Sequence, residues 1–223
     1  MTQRRDLIVI TIDGNIASGK SSIMRGLQEI HPEYEYIYEP LKLWKNYRGM
    51  NMLEEMYKDP KKNVGMFQHF ALQTMAENIN ESIASTDKRV IIIERSIWTT
   101  FTLFTRIHHF QLNNIDTFQY NIIRHLYAKL VKEQDKIFKT EECIYLDCSP
   151  SVCMDRINKR EKTHKIEQTY LNLLDDYGKK SFVGNDIYDF NPKSKNVINT
   201  EKSLNDTIIE LSIRINHIIK NKK

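Results

Sequence analysis

Leu7-Ile8-Val9-Ile10-Thr11-Ile12-Asp13-Gly14-Asn15-Ile16-Ala17-Ser18-Gly19-Lys20-Ser21 reads as a strand, a tight loop and the first residues of a helix. The opening six residues are apolar and mostly β-branched, the composition of a buried strand. From Gly14 onward the chain fits G-x-x-x-x-G-K-[ST], and it does so between a strand and a helix N-terminus, where a phosphate-binding loop must sit. The residue types follow from the chemistry. Glycine lets the backbone wrap close to phosphate oxygens. The amides of Gly14, Asn15, Ile16, Ala17, Ser18 and Gly19, continuing into Lys20, Ser21 and Ser22, supply donors at the positive end of the helix dipole. Lys20 reaches the β and γ oxygens, and the Ser21 hydroxyl can ligate Mg²⁺. The motif predicts a nucleoside triphosphate ligand and leaves open what the phosphate is used for.

Outward from this unit, short apolar runs recur at Tyr36-Ile37-Tyr38, Val90-Ile91-Ile92-Ile93, Cys143-Ile144-Tyr145-Leu146 and Val197-Ile198. Helical spacing of three and four marks Lys20 to Ile30, Val64 to Ser85, Ile97 to Phe110, Asp116 to Lys136, Pro150 to Arg160, Glu167 to Lys180 and Leu204 to Ile219. Alternating strands and helices of crossover length predict an α/β three-layer fold, with five buried parallel strands flanked by helices. Asp59-Pro60 and Asn191-Pro192 read as breaks inside one domain covering residues 1–223, with no internal repeat.

Bulk properties narrow the function classes. A net charge of +4, spread along 223 residues, suits a nucleotide and argues against a nucleic-acid partner. Cys143, Cys148 and Cys153 form no CxxC pair, which predicts reduced thiols used in packing and a cytoplasmic setting. No apolar run reaches membrane-spanning length, and a strand beginning near Leu7 leaves no room for a transit peptide. Abundant Lys, Asn and Ile match the codon bias of an AT-rich genome, as in a virus or a parasite; for a virus the setting would be the host cytoplasm. The seven histidines show no metal-ligand spacing.

Two further clusters fall at predicted strand ends, where open parallel sheets collect ligands. Glu39 follows Tyr36-Ile37-Tyr38, and Glu94-Arg95-Ser96 follows Val90 to Ile93. A carboxylate there can accept the proton of an attacking hydroxyl, and an adjacent arginine can neutralise developing charge. Gln68, Ala71 and Met75 share one helix face at i, i+3 and i+7, while Thr100 and Phe104 stand at i and i+4, so two helix faces can converge on one ligand. Arg156 and Arg160, also i and i+4, can close over phosphates as a lid at about residues 156–166.

With these motifs in order, the chain resembles the deoxynucleoside kinases, the group that includes deoxycytidine, deoxyguanosine and mitochondrial thymidine kinases and the insect multisubstrate enzyme. The carriers are the loop Gly14 to Ser21, Glu39-Pro40 with Trp44, the stretch Leu53 to Lys62, Phe67-Gln68, Glu94-Arg95-Ser96 and Arg156 with Arg160. The resemblance implies ATP-dependent phosphorylation of a deoxyribonucleoside 5′-hydroxyl, with ATP as donor and Mg²⁺ as cofactor. It implies Glu39 as general base, Arg95 as the partner of that base and of the 5′-oxygen, and Glu94 with Ser21 at Mg²⁺. Trp44, Phe67 and Phe104 would wall the nucleobase, Gln68 would read its edge, and Met56 would line the same site. Tyr57 would bind the sugar 3′-hydroxyl, with Glu161 as the nearest candidate to share that duty in a lid about two residues shorter than the insect enzyme's. Members favouring deoxycytidine or purines carry Arg and Asp where this chain has Ala71 and Thr100, so pyrimidines, thymidine and deoxycytidine, are the expected substrates. A homodimer is implied, built on the helices that follow Val64 and Asp116. The alternative is a thymidylate-type monophosphate kinase, which shares the loop and lid; Glu39 argues against it, because an ionised phosphate acceptor needs no base.

Overall fold

The computed structural model describes residues 6–160, 166–183 and 194–222. Five parallel strands, β1 (Ile8–Gly14), β2 (Glu35–Ile37), β3 (Val90–Glu94), β4 (Thr140–Asp147) and β5 (Ser194–Asn199), form one sheet in the order β2-β3-β1-β4-β5. The expected strands are all present. β1, β3 and β4 are buried along nearly their whole length, but β5 is an edge strand that buries Ile198 alone, with Val197 48% exposed. One neighbour is enough to hold it, so its apolar signal in the sequence is faint.

Side-chain alternation splits the core into two layers. Ile8, Ile10, Ile12, Ile92 and Ile144 point to one face, where α1 (Lys20–Ile30) and α10 (Leu204–Lys220) cover them with Ile23, Leu27, Leu211 and Ile215. Val9, Ile91, Ile93, Cys143 and Tyr145 point to the other. That side is covered by α4 (Pro60–Ser85), α7 (Thr117–Gln134), α9 (Gln168–Val183) and the segment between Ile97 and Phe110. The three cysteines are buried and free, as packing residues should be.

Asp59-Pro60 is a break, as expected, and it takes the form of a helix start. Asp59 Oδ1 accepts from Lys62 N at 3.2 Å, and Pro60 takes the first helical position, where its missing N–H costs nothing. Asn191-Pro192 lies outside the described residues. Two short helices were not anticipated: α2 (Leu41–Lys45) and α3 (Met52–Lys58), each with a single buried side chain, Trp44 and Met56. The expected helix Ile97 to Phe110 is three pieces: α5 (Ile97–Thr99), a π-helical turn (Thr100–Thr105) and α6 (Arg106–Phe110). Hydroxyls explain the interruption. Thr100 bonds the carbonyl of Ser96, Thr102 that of Trp98 and Thr105 that of Thr100, and such back-bonding competes with regular helix pairing. The last helix of the set, α8 (Pro150–Arg160), starts just beyond β4. Among the described residues no helix is long and apolar enough to cross a membrane.

Candidate active site

Three strand ends converge beside the loop. After β1, Gly14 (φ 145°) and Gly19 (φ 108°) adopt conformations that favour glycine. A Cβ on Gly14 would lie 2.8 Å from Ser18 Oγ and 2.9 Å from the Leu146 carbonyl, so the loop closes this tightly only with glycine there. Lys20 folds back on the loop, its Nζ donating to the carbonyls of Asn15 at 2.8 Å and Gly14 at 3.3 Å. Burial, and then the nearby Arg95, bring its pKa down to about 8 against the pull of Glu39, Glu94 and Asp13. An anion that replaced the two carbonyls would find a poorly solvated ammonium waiting for it.

β3 delivers the second half of the cluster. Arg95 has φ 62°, a left-handed conformation that costs a non-glycine residue of order 1 kcal/mol. Its neighbours hold it there. Arg95 N donates to Ile12 O at 3.0 Å, and Ser96 N and Oγ both donate to the buried Asp13 carboxylate at 2.9 and 3.2 Å. The turn carries the guanidinium over the Phe104 ring, 4.5 Å from its centroid. Its Nε donates to Glu39 Oε1 at 2.5 Å and its Nη1 to Gly14 O at 3.3 Å. A carboxylate fixed in this way is aimed, and it can receive a proton from a hydroxyl bound between it and the arginine.

Glu94 faces Ser21, whose Oγ donates to Glu94 Oε1 at 2.5 Å. Burial, and then the charge of Glu39, push the Glu94 carboxyl upward. A hydroxyl and a strained carboxylate side by side are hard oxygen donors suited to Mg²⁺, and a cation between them would relieve the Glu94 charge. Among the described residues no group of three or more His, Cys, Asp or Glu is arranged around a metal.

A cavity of about 250 Å³ opens from this cluster. Its charged lining, Lys20, Glu39, Glu94, Arg95 and Arg160, is chemically distinct from the rest of its wall. That wall is Trp44, Leu53, Met56, Tyr57, Phe67, Gln68, Ala71, Thr100, Phe104 and Tyr170. Trp44 stands edge-on to Phe67 at 5.5 Å, and its indole N–H is anchored on Thr74 Oγ1 at 2.9 Å. Gln68 Oε1 accepts from Thr105 Oγ1 at 3.4 Å, which fixes the amide on the wall.

A second cavity of about 180 Å³ lies across the loop, between Ser18, Gly19 and Ser22 on one side and Arg156, Arg160, Thr200, Lys202 and Leu204 on the other. Arg156 is committed to the protein: Nη1 bonds the carbonyls of Ala17 and Ser18 at 3.3 and 3.0 Å, and Nη2 that of Thr200 at 3.0 Å. Arg160 reaches Ser22 Oγ at 3.5 Å and lines both cavities.

Most of the expected site residues are thus brought together. Met75 is displaced from the wall: it stands behind Thr100, whose Oγ1 donates to its Sδ at 3.3 Å, because two turns of α4 carry it about 10 Å along the helix axis, past the opening. The Asn15 side chain is engaged by the protein, Nδ2 donating to Leu171 O at 3.0 Å and Oδ1 accepting from Ile16 N at 2.8 Å, while its carbonyl holds Lys20. Glu161 and the rest of the expected lid to residue 165 lie outside the described residues. Sequence reasoning missed Asp13, Tyr170, Thr200 and Lys202. Asp13 alone carried a local signal, as an acid at the end of an otherwise apolar strand.

The sequence profile of the deoxynucleoside kinase family matches residues 10–218. A probable deoxycytidine kinase of fowlpox virus is 35% identical over 185 residues, 81% of this chain and 74% of that protein. The mitochondrial deoxyguanosine kinase of Xenopus laevis is 27% identical, covering 75% of this chain and 70% of its own length. Human deoxycytidine kinase is 24% identical, with 74% and 71% covered.

Proposed function

The chain belongs to the deoxynucleoside kinase family, and from that premise we propose that it transfers the γ-phosphoryl group of ATP to the 5′-hydroxyl of pyrimidine deoxyribonucleosides, as a homodimer. The observation that carries this reading is the Glu39–Arg95 pair, 2.5 Å apart at the junction of the phosphate loop and the 250 Å³ cavity. The nucleoside lies in the cavity with its base among Trp44, Phe67 and Phe104 and its 5′-oxygen between Glu39 and Arg95. Glu39 takes the hydroxyl proton as the new P–O bond forms and ADP leaves, and Arg95 offsets the negative charge of the transfer. Lys20 exchanges the Gly14 and Asn15 carbonyls for β and γ phosphate oxygens, with Arg160 above them. Ser21 and Glu94 would hold Mg²⁺, which would neutralise phosphate charge when bound. The second cavity, with Thr200, Lys202 and Leu204, takes the donor's base and ribose.

The base preference rests on where charge is missing. Among the described residues, the charged side chains on the cavity wall are grouped with the loop, and the base end offers the Gln68 amide, small Ala71 and Thr100. The Thr100 hydroxyl is already engaged with Ser96 O and Met75 Sδ. Gln68 can pair donor and acceptor with a pyrimidine edge, and Ala71 leaves space for the 5-methyl of thymine, worth roughly 1 kcal/mol of burial. The test is a panel of the four deoxynucleosides and thymidine monophosphate with γ-labelled ATP. Thymidine and deoxycytidine should be labelled fastest, at the 5′ position. Faster labelling of deoxyadenosine or deoxyguanosine at equal concentration overturns the base preference, and labelling of the monophosphate alone overturns the acceptor.

A further inference from the structure

The second residue of the phosphate loop is one that G-x-x-x-x-G-K-[ST] leaves unspecified, yet this chain buries an asparagine there and uses both ends of its side chain. Asn15 Oδ1 accepts from Ile16 N at 2.8 Å, its carbonyl accepts from Lys20 Nζ at 2.8 Å, and its Nδ2 donates to Leu171 O at 3.0 Å. The first two contacts lie inside the loop. The third crosses to the first turn of α9, and that turn belongs to the other half of the site, because Tyr170 lines the cavity assigned to the nucleoside. A primary amide is what the position requires: an acceptor toward a loop N–H and, on the same rigid plane, a donor toward a helix carbonyl. α9 has little room to absorb a shift at this point. Leu171 and Leu174 are fully buried, and the Tyr170 hydroxyl lies 3.1 Å from His108 Nε2 of α6.

We infer that Asn15 is a positioning residue that couples the donor site to the acceptor site: phosphate at the loop alters its hold on α9, and so alters the affinity of the cavity for the nucleoside. The inference rests on the proposed donor and nucleoside sites. Ile16 N and Lys20 Nζ are donors that the incoming phosphates claim, and both are bonded to Asn15. A phosphate that takes the Ile16 N–H releases Asn15 Oδ1. The bond from Nδ2 to Leu171 O then changes strength, because hydrogen bonds at the two ends of one amide polarise each other. Linkage makes the effect mutual, so the nucleoside alters donor affinity by the same factor. Arg95, bonded to both Gly14 O and Glu39, also joins the two halves, but through charged groups placed at the transfer itself. The Asn15 route is neutral, and one substitution removes it.

The experiment measures by calorimetry the Kd of a deoxynucleoside, whichever the labelling panel favours, with and without saturating ADP. ADP fills the loop but ends one phosphate short of the 5′-oxygen, so the two ligands do not touch and nothing is turned over. In the unmodified full-length chain ADP should change the nucleoside Kd by roughly 3- to 10-fold, the range that one neutral hydrogen bond can transmit. Asn15→Ala removes both ends of the amide. Asn15→Asp keeps the bond to Ile16 N but turns an oxygen on Leu171 O. In each variant the ratio of the two Kd values should fall to about one. A chain that is merely looser shifts both values together and leaves their ratio, so the ratio separates coupling from packing. Far-UV spectra show that each variant is folded, and Asn15→Asp, equal in size to the original residue, decides the matter if Asn15→Ala does not fold. A ratio near one in the unmodified chain, or a ratio kept in the folded variants, overturns the coupling. If the unmodified chain binds no nucleoside, it is the nucleoside reading that falls.

Discussion

Glu39 and Lys20 act on opposite sides of the phosphoryl group and predict different signatures. Glu39→Gln keeps the shape of the pair with Arg95 but removes the proton acceptor, so kcat should fall by about 10² or more with nucleoside affinity little changed. An unchanged kcat removes Glu39 from the chemistry. For Lys20 the prediction concerns stability as well. Its folded pKa of about 8 lies below the ordinary 10.5, so between those values the unfolded chain holds more protons than the folded one. Stability from this group therefore rises as pH climbs from about 8 toward 10.5, and below that window the buried ammonium costs roughly 3 kcal/mol. Lys20→Met should raise the Tm of the ligand-free protein by a few degrees at pH 7, with the gain shrinking as pH approaches 10.5. The same variant should lose the ATP-induced thermal shift. A lower Tm at pH 7 contradicts the account. The loop between β1 and α1 was legible because its shape is set by contiguous residues, Gly14 and Gly19 above all. The use of Asp13 was not, since it depends on a partner 83 positions away in the chain, Ser96.

At the scale of elements, α4 and the π-helical turn pack on each other and line the proposed base end of the cavity with Ala71 and Thr100. Ala71→Arg together with Thr100→Asp would install a charged pair there, in space a thymine methyl would occupy. The double variant should lower kcat/KM for thymidine and raise the relative rate with purines, by an amount within the few kcal/mol that exclusion and a buried pair can supply. Either change alone leaves an unpaired buried charge and should impair all substrates. Equal effects on thymidine and deoxyguanosine would show that these elements do not read the base. Helices with a long apolar stripe, such as α1 and α10, were found from the sequence with nearly the observed bounds. α2 and α3 were not, because one buried residue in each makes no periodicity, and the π-helical turn was hidden because its cause is a run of threonine hydroxyls rather than an apolar pattern.

For the molecule as a whole, the sheet order places both halves of the site at the same edge, and what is left over is an apolar surface away from it. α7 buries Tyr120, Ile123 and Tyr127 against its own core, yet Phe118 and Ile122, one turn apart on the opposite side, are 75% and 45% exposed. α4 packs against α7 and exposes Met66 at 59%. Two long neighbouring helices with uncovered apolar side chains form the kind of self-complementary patch that closes in a two-fold dimer. The proposed homodimer therefore pairs α4 and α7 of one copy with α7 and α4 of the next. Sedimentation should give twice the 26.5 kDa of one chain, and Phe118→Glu with Ile122→Glu should give a particle of 26.5 kDa. Both side chains lie outside the core, so the far-UV spectrum of the variant should match that of the unmodified protein, separating loss of pairing from loss of fold. A monomer for the unmodified chain at micromolar concentration, or a dimer that survives both charges, places the interface elsewhere.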